Sequence, residues 1–65
     1  MNVGDRVELK KDDVAPAQSC GVVEKIYKNG NVKVRITHRP DCQPFQVPII
    51  IVSIPPAALQ PCHCP

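Results

Sequence analysis

Residues 21–37 read GVVEKIYKNGNVKVRIT, and the architecture follows from how this stretch pairs with itself. Lys28-Asn29-Gly30-Asn31 lies between two β-patterned runs. Asn-Gly is the preferred two-residue hairpin turn, because both residues accept positive φ. After the turn, Val32, Val34 and Ile36 alternate with Lys33, Arg35 and Thr37. That period of two is a strand with one apolar and one polar face. Before the turn, Gly21 to Tyr27 is its antiparallel partner. Val23 and Ile26 are three apart, so a β-bulge or a sharp bend between them would put both on the core side. Gly21 marks a close approach of two backbones or a positive φ.

Working outward, Val3 to Lys10 reads as the first strand, with Val7 and Leu9 inward and Arg6, Glu8 and Lys10 outward. Residues 11–19 are polar and contain Pro16, so they form a loop. Residues 38–44 hold two prolines and form another. Phe45 to Val47 is a short fourth strand that Pro48 stops or bends. Ile49-Ile50-Ile51-Val52 admits two readings. It is a 3₁₀ turn that plugs the fold before a last strand through Ser53-Ile54, or a strand buried on both faces. The turn packs most of the run inward; as a strand, the run would leave one pair, Ile49 and Ile51 or Ile50 and Val52, on the surface. Pro55-Pro56 ends regular structure. The domain therefore spans residues 1–55, and residues 56–65 are expected to be a flexible, irregular tail containing proline and cysteine.

The chain has 65 residues, enough for one domain. It has one Phe, one Tyr and no Trp, so the core must be aliphatic. Val3, Val7, Leu9, Val22, Val23, Ile26, Val32, Val34, Ile36, Phe45, Val47 and the run from Ile49 to Ile54 supply it, and their β-branching favours strands. The net charge of +2 permits contact with an anionic partner without demanding one. The opening Met1-Asn2-Val3-Gly4-Asp5-Arg6 lacks the basic and apolar regions of a signal peptide. No apolar run approaches the roughly 20 residues of a membrane helix. These features lead us to expect a cytoplasmic protein without a membrane partner. In that compartment four cysteines read as reduced thiols or metal ligands before disulfides.

Strand, long loop, bent strand, tight hairpin, strand, short strand and a proline-marked turn together resemble the SH3-like small barrels. Gly4-Asp5-Arg6-Val7, the Gly21-x-Val23-x-x-Ile26 stretch, Val32-x-Val34 and Pro48 with the apolar residues after it carry the likeness, over about 50 residues. The opening and the Gly-x-Val-x-x-Ile stretch are similar to KOW-type barrels of transcription and ribosome-associated proteins. The resemblance implies a five-strand all-β barrel with a 3₁₀ turn before its last strand. A narrower likeness is to the plasmid-encoded type II dihydrofolate reductases, tetrameric SH3-like barrels that bind folate and nicotinamide in a central pore. Gly4-Asp5-Arg6-Val7 followed by Lys10-Lys11 resembles their opening, with the lysines one residue later than in that family. Gln46-Val47-Pro48 resembles their pore-lining stretch but lacks its tyrosine. That likeness implies Gln46 and Val47 at the pore, with Lys10 or Lys11 attracting an anionic substrate.

No catalytic constellation stands out. Cys20 or Cys42 with His38 would be needed for nucleophilic catalysis, and a barrel this small has little room for a closed pocket. No cofactor is expected. A structural zinc, if held, would use His38, Cys42, Cys62 and Cys64, three thiolates and an imidazole. A nucleic-acid surface would use Lys25, Lys28, Lys33 and Arg35 on one hairpin, although only Tyr27 and Phe45 are available for base stacking. Recognition of proline-rich peptides is excluded, because 3% aromatic residues cannot line the groove it needs. The reading that follows is a non-enzymatic interaction module that binds a protein partner or itself. Its contact residues are Ile49, Ile50, Ile51 and Val52 with Phe45 nearby. The alternatives are a KOW-like nucleic-acid or ribonucleoprotein binder and a tetrameric reductase.

Overall fold

The computed structural model describes residues 1–65. Five strands form one antiparallel sheet: β1 (Arg6–Leu9), β2 (Cys20–Ile26), β3 (Val32–His38), β4 (Pro44–Ile54) and β5 (Leu59–Pro61). A single 3₁₀ turn, Pro56–Ala58, precedes β5, and there is no α-helix. The strand order is β4-β3-β2-β1-β5, so β4 and β5 are the edges and the sheet is not closed.

The hairpin of β2 and β3 forms as the sequence implies, but its turn differs. Tyr27 N–H donates to the Asn31 carbonyl at 2.8 Å, and Gly30 N–H donates to the Tyr27 carbonyl at 3.0 Å. The loop therefore has three residues, and only Gly30, with φ of +91°, enters the left-handed region. Asn29 instead uses its side chain, accepting a hydrogen bond from Asn31 N–H at 3.0 Å. This is a type I turn closed by a glycine bulge, the common three-residue alternative.

The bulge expected in β2 is present, between Val23 and Lys25. It pairs Ile26 with Val32, yet Ile26 lies beyond the end of the core and is 43% exposed. Gly21 has a close-approach role. A Cβ there would overlap the Arg35 carbonyl and come within 2.9 Å of Ile36 Cα.

Residues 44–61 depart most from the pattern of the sequence. The run from Ile49 to Val52 is strand, not a 3₁₀ turn, and β4 continues through Pro48 for eleven residues. The ladder explains why. Ile36 pairs with Ile49 and His38 with Pro44, so two residues of β3 face a bulged segment of β4 that contains Pro48. At an edge strand the missing proline N–H costs no ladder bond. A second irregularity, between the Val34–Ile51 and Val32–Ile54 pairs, brings both Ile51 and Ile54 inward. The 3₁₀ turn and β5 fall within residues 56–65, where an irregular tail was expected. Leu59 anchors them. It pairs with Leu9 and is buried in the core.

Val7, Leu9, Ala15, Val23, Val32, Val34, Ile36, Ile51, Ile54 and Leu59 make the core, with Phe45 and Ile49 packed against it. Val3 and Val47, expected inside, are exposed because Val3 precedes β1 and Val47 lies in the bulged part of the edge strand. Only 15 of 65 residues are buried, so single packing defects fall on a small total stability. Gly21→Ala is expected to destabilise the fold by about 3 kcal/mol or more, because the obstructing atoms are backbone and cannot swing aside. A loss of less than about 1 kcal/mol in denaturant titration would contradict this contact.

Candidate functional site

The site begins with the register of β1. Glu8 stands opposite Cys20 on β2 and opposite Gln60 on β5, so these three side chains share the face away from the aliphatic core. Alternation in the sequence assigned Glu8 to solvent, but it is 2% exposed. The cover is the segment after β5. Cys62 N–H donates to the Arg6 carbonyl at 3.3 Å, and residues 62–65 then fold over β1. Arg6 Nη2 holds them there, donating to the carbonyls of Cys64 at 3.2 Å and Pro65 at 3.1 Å.

A buried carboxylate needs a full set of donors. Gln60 Nε2 donates to Glu8 Oε2 at 2.6 Å, and His63 N–H donates to Oε1 at 2.8 Å. The His63 ring nitrogen Nδ1 forms an ion pair with Oε1. Burial alone would raise the Glu8 pKa. The hydrogen bonds from the His63 side chain, Gln60 and the His63 backbone outweigh it and hold the carboxyl below its ordinary value. The bond to Glu8 in turn raises the pKa of His63, helped by the Pro40 carbonyl, which accepts from Nε2 at 2.8 Å.

All four cysteines of the chain converge beside this pair. Cys20 lies at disulfide-bonding distance from Cys62, and Cys42 from Cys64. The two pairs touch, with Cys20 Sγ 3.6 Å from Cys64 Sγ. Cys42 comes from the loop joining β3 and β4, in a tight turn where Cys42 N–H donates to the Arg39 carbonyl at 2.8 Å. Its φ is +69°, a conformation that favours glycine or asparagine and that costs a cysteine about 1–2 kcal/mol. Three ligand-type groupings result: Cys20, Cys62 and Cys64; Cys42, His63 and Cys64; and Glu8, Cys20 and His63.

Of the zinc ligands proposed from sequence, Cys42, Cys62 and Cys64 are brought together. His38 is not; its Nδ1 bonds with Thr37 Oγ1 at 2.8 Å. Cys20 takes the place assigned to it, and His63 is the histidine of the cluster. The sequence signal for Cys20 was its position opposite Glu8, which becomes informative only once the register is known.

The other candidate residues divide by face. Ile50 and Val52 are exposed, Ile51 is buried, and Ile49 and Phe45 are half-buried. Lys25 pairs with Lys33, and Arg35 pairs with Ile50, so the cations share the outer face with exposed aliphatic groups. Lys28 lies in the turn. Gln46 and Val47 are on β4, whereas Lys10 and Lys11 follow β1 and line an open cleft of about 410 Å³ with Ile54 and Ala58. Two strands separate these groups within one sheet. No helix is long and apolar enough to cross a membrane.

No protein-family model matches this sequence, and neither a curated protein nor a solved structure matches the chain.

The Glu8–His63 pair sets a pH window. The Glu8 contribution is complete above its ordinary 4.5 and is lost as pH falls through its lowered value. The His63 contribution is complete below its ordinary 6.5 and is lost as pH rises through its raised value. Denaturant midpoints are expected to peak between the two, and His63→Gln is expected to flatten the decline on the alkaline side. An unchanged alkaline limb in that variant would show that another group controls it.

Proposed function

We propose that this chain is a non-enzymatic, SH3-like interaction module that pairs with a second copy of itself along β4. The SH3-like part of the reading rests on the meander in which β5 returns beside β1 after a 3₁₀ turn. The observation that carries the pairing is the character of the edge. β4 has eleven residues, Pro-Phe-Gln-Val-Pro-Ile-Ile-Ile-Val-Ser-Ile, and none is charged. Val47 and Val52 are 76% and 67% exposed along it, with Ile50 between them at 44%. Edge strands of monomers are ordinarily shortened, charged or covered, because an open edge is a template for another strand. Here Pro44 and Pro48 interrupt one end, and the segment from Ile49 to Val52 is left long, apolar and neutral. A second copy meets such an edge without electrostatic repulsion and adds burial that a core this small lacks.

A second reading has its own observation. Lys25 and Lys33 stand directly opposite each other, Arg35 lies on the same face, and the molecule's one ion pair is Glu8–His63. Cations placed side by side without a carboxylate partner suit an anionic ligand such as nucleic acid.

Light scattering on a size-exclusion column is expected to show a dimer, and Val52→Lys or Ile50→Lys is expected to weaken it by at least about tenfold, consistent with edge lysines blocking strand addition. A strict monomer at roughly millimolar concentration, far above the affinity such an edge must provide, would overturn the pairing. Binding to single-stranded RNA that falls steeply with salt and is lost in Lys33→Glu/Arg35→Glu would establish the second reading instead.

A further inference from the structure

We propose that the reduced protein holds one zinc ion on the thiolates of Cys20, Cys42, Cys62 and Cys64, and that peroxide oxidation of these thiolates to two disulfides releases it. All four cysteines gather around Cys64, from the start of β2, the loop between β3 and β4, and the segment after β5: Cys20 and Cys62 share one ligand grouping with it and Cys42 another, across sequence separations of 42 and 22 residues. Four thiolates are a closed set for structural zinc, with zinc–sulfur distances of about 2.3 Å and hence sulfur–sulfur edges of about 3.8 Å. One contact between the two pairs, 3.6 Å from Cys20 to Cys64, is close to such an edge, and Cys42 reaches the others through Cys64.

The surroundings are those of thiolates. Cys64 N–H donates to Cys62 Sγ at 3.3 Å, and Arg6 Nη2 approaches the same sulfur at 3.9 Å. N–H donors and a guanidinium stabilise sulfur that carries charge, and they offset part of the double negative charge of a four-thiolate zinc site. Glu8 and His63 are engaged with each other and with Gln60 and the Pro40 carbonyl, so neither offers a free lone pair to a metal. They hold the segment carrying Cys62 and Cys64 against β1 and act as positioning residues. Cys42 supplies an independent observation. A cysteine occupies a left-handed position at a tight turn, and its sulfur is aimed at Cys64 and His63. Backbone strain of that kind persists where a side chain is needed in place.

The same sulfurs define the oxidised form. In each pair two thiolates lose two electrons and form one sulfur–sulfur bond. One peroxide takes those electrons with two protons, its O–O bond breaks, and two waters result. Two equivalents convert all four thiolates. Disulfide sulfur has no negative charge and is a poor ligand, so the zinc leaves. The Cys20–Cys62 and Cys42–Cys64 pairings then tie residues 62–64 to the sheet, as the metal did.

The test uses the full chain, reduced and loaded with zinc, then freed of excess metal. Elemental analysis is expected to give one zinc per chain. Cobalt added to the reduced metal-free protein is expected to give the intense absorption bands of tetrahedral cobalt thiolate. Cys20→Ser and Cys42→Ser are each expected to lower zinc affinity by about 100-fold or more, whereas His38→Gln, whose ring lies outside the cluster and bonds Thr37, keeps one zinc per chain. Titration with hydrogen peroxide is expected to release zinc in step with the loss of four free thiols, with the two named disulfides recovered by peptide mapping. Because a serine variant can fail to fold, the wild-type measurement stands by itself. Four titratable thiols with no uptake of zinc or cobalt would overturn the site, and zinc retained after both disulfides have formed would overturn its release.

Discussion

The pairing of Val7, Glu8 and Leu9 with Pro61, Gln60 and Leu59 is the contact on which the rest of the molecule depends. It gives β1 a second neighbour, so the only strand that carries both a core-facing Leu9 and a buried Glu8 becomes an interior strand. On one side it buries Leu59 against Leu9 and completes the aliphatic cluster. On the other it delivers residues 62–65 to the opposite face of the sheet, where Arg6 secures them. Without it, Glu8 and Cys20 would lie on a wet surface, and Cys62 and Cys64 would not reach Cys20 and Cys42.

The two faces of the sheet solve different problems. The inner face is a conventional apolar core of ten residues, sufficient to hold the strands in register but small for an independent domain. Small domains commonly add a cross-link that does not depend on core volume. Here the outer face of β1 and β2 provides one. A buried carboxylate with all of its donors, a histidine between Glu8 and the Pro40 carbonyl, and four sulfurs bind the loop after β3 and the end of the chain to the central strands. Disulfides or a metal would each serve as that cross-link, since both use the same atoms.

The far edge is built on another principle. β4 is held to β3 through two register irregularities, each of which turns side chains relative to simple alternation. Their effect is to send Ile51 and Ile54 inward while Ile50 and Val52 remain outside. The Tyr27 hydroxyl donates to the Val52 carbonyl at 2.7 Å, and Asn31 Nδ2 donates to Ser53 Oγ at 3.1 Å, so the hairpin tip fixes the end of this strand. The edge is thus ordered, neutral and apolar, and it lies across the sheet from the sulfur cluster.

Local pattern alone determined that this chain is all-β, that residues 21–37 form a hairpin, that Val32, Val34 and Ile36 face the core, and that Gly21 holds a place closed to other residues, which the structure shows to be a close backbone approach. Each depends on near neighbours: a period of two, a glycine-bearing turn, the absence of Cβ. The tertiary structure alone decided the course of β4 through Pro48, the return of residues 59–61 as a strand, the burial of Glu8 and the choice of Cys20 and His63 over His38. Proline reads as a strand breaker until an edge leaves its missing N–H without consequence. Glutamate reads as solvent-facing until a distant segment covers it and supplies three donors. Such outcomes are set by which strands become neighbours, and contacts between residues more than fifty positions apart leave no periodic trace along the chain.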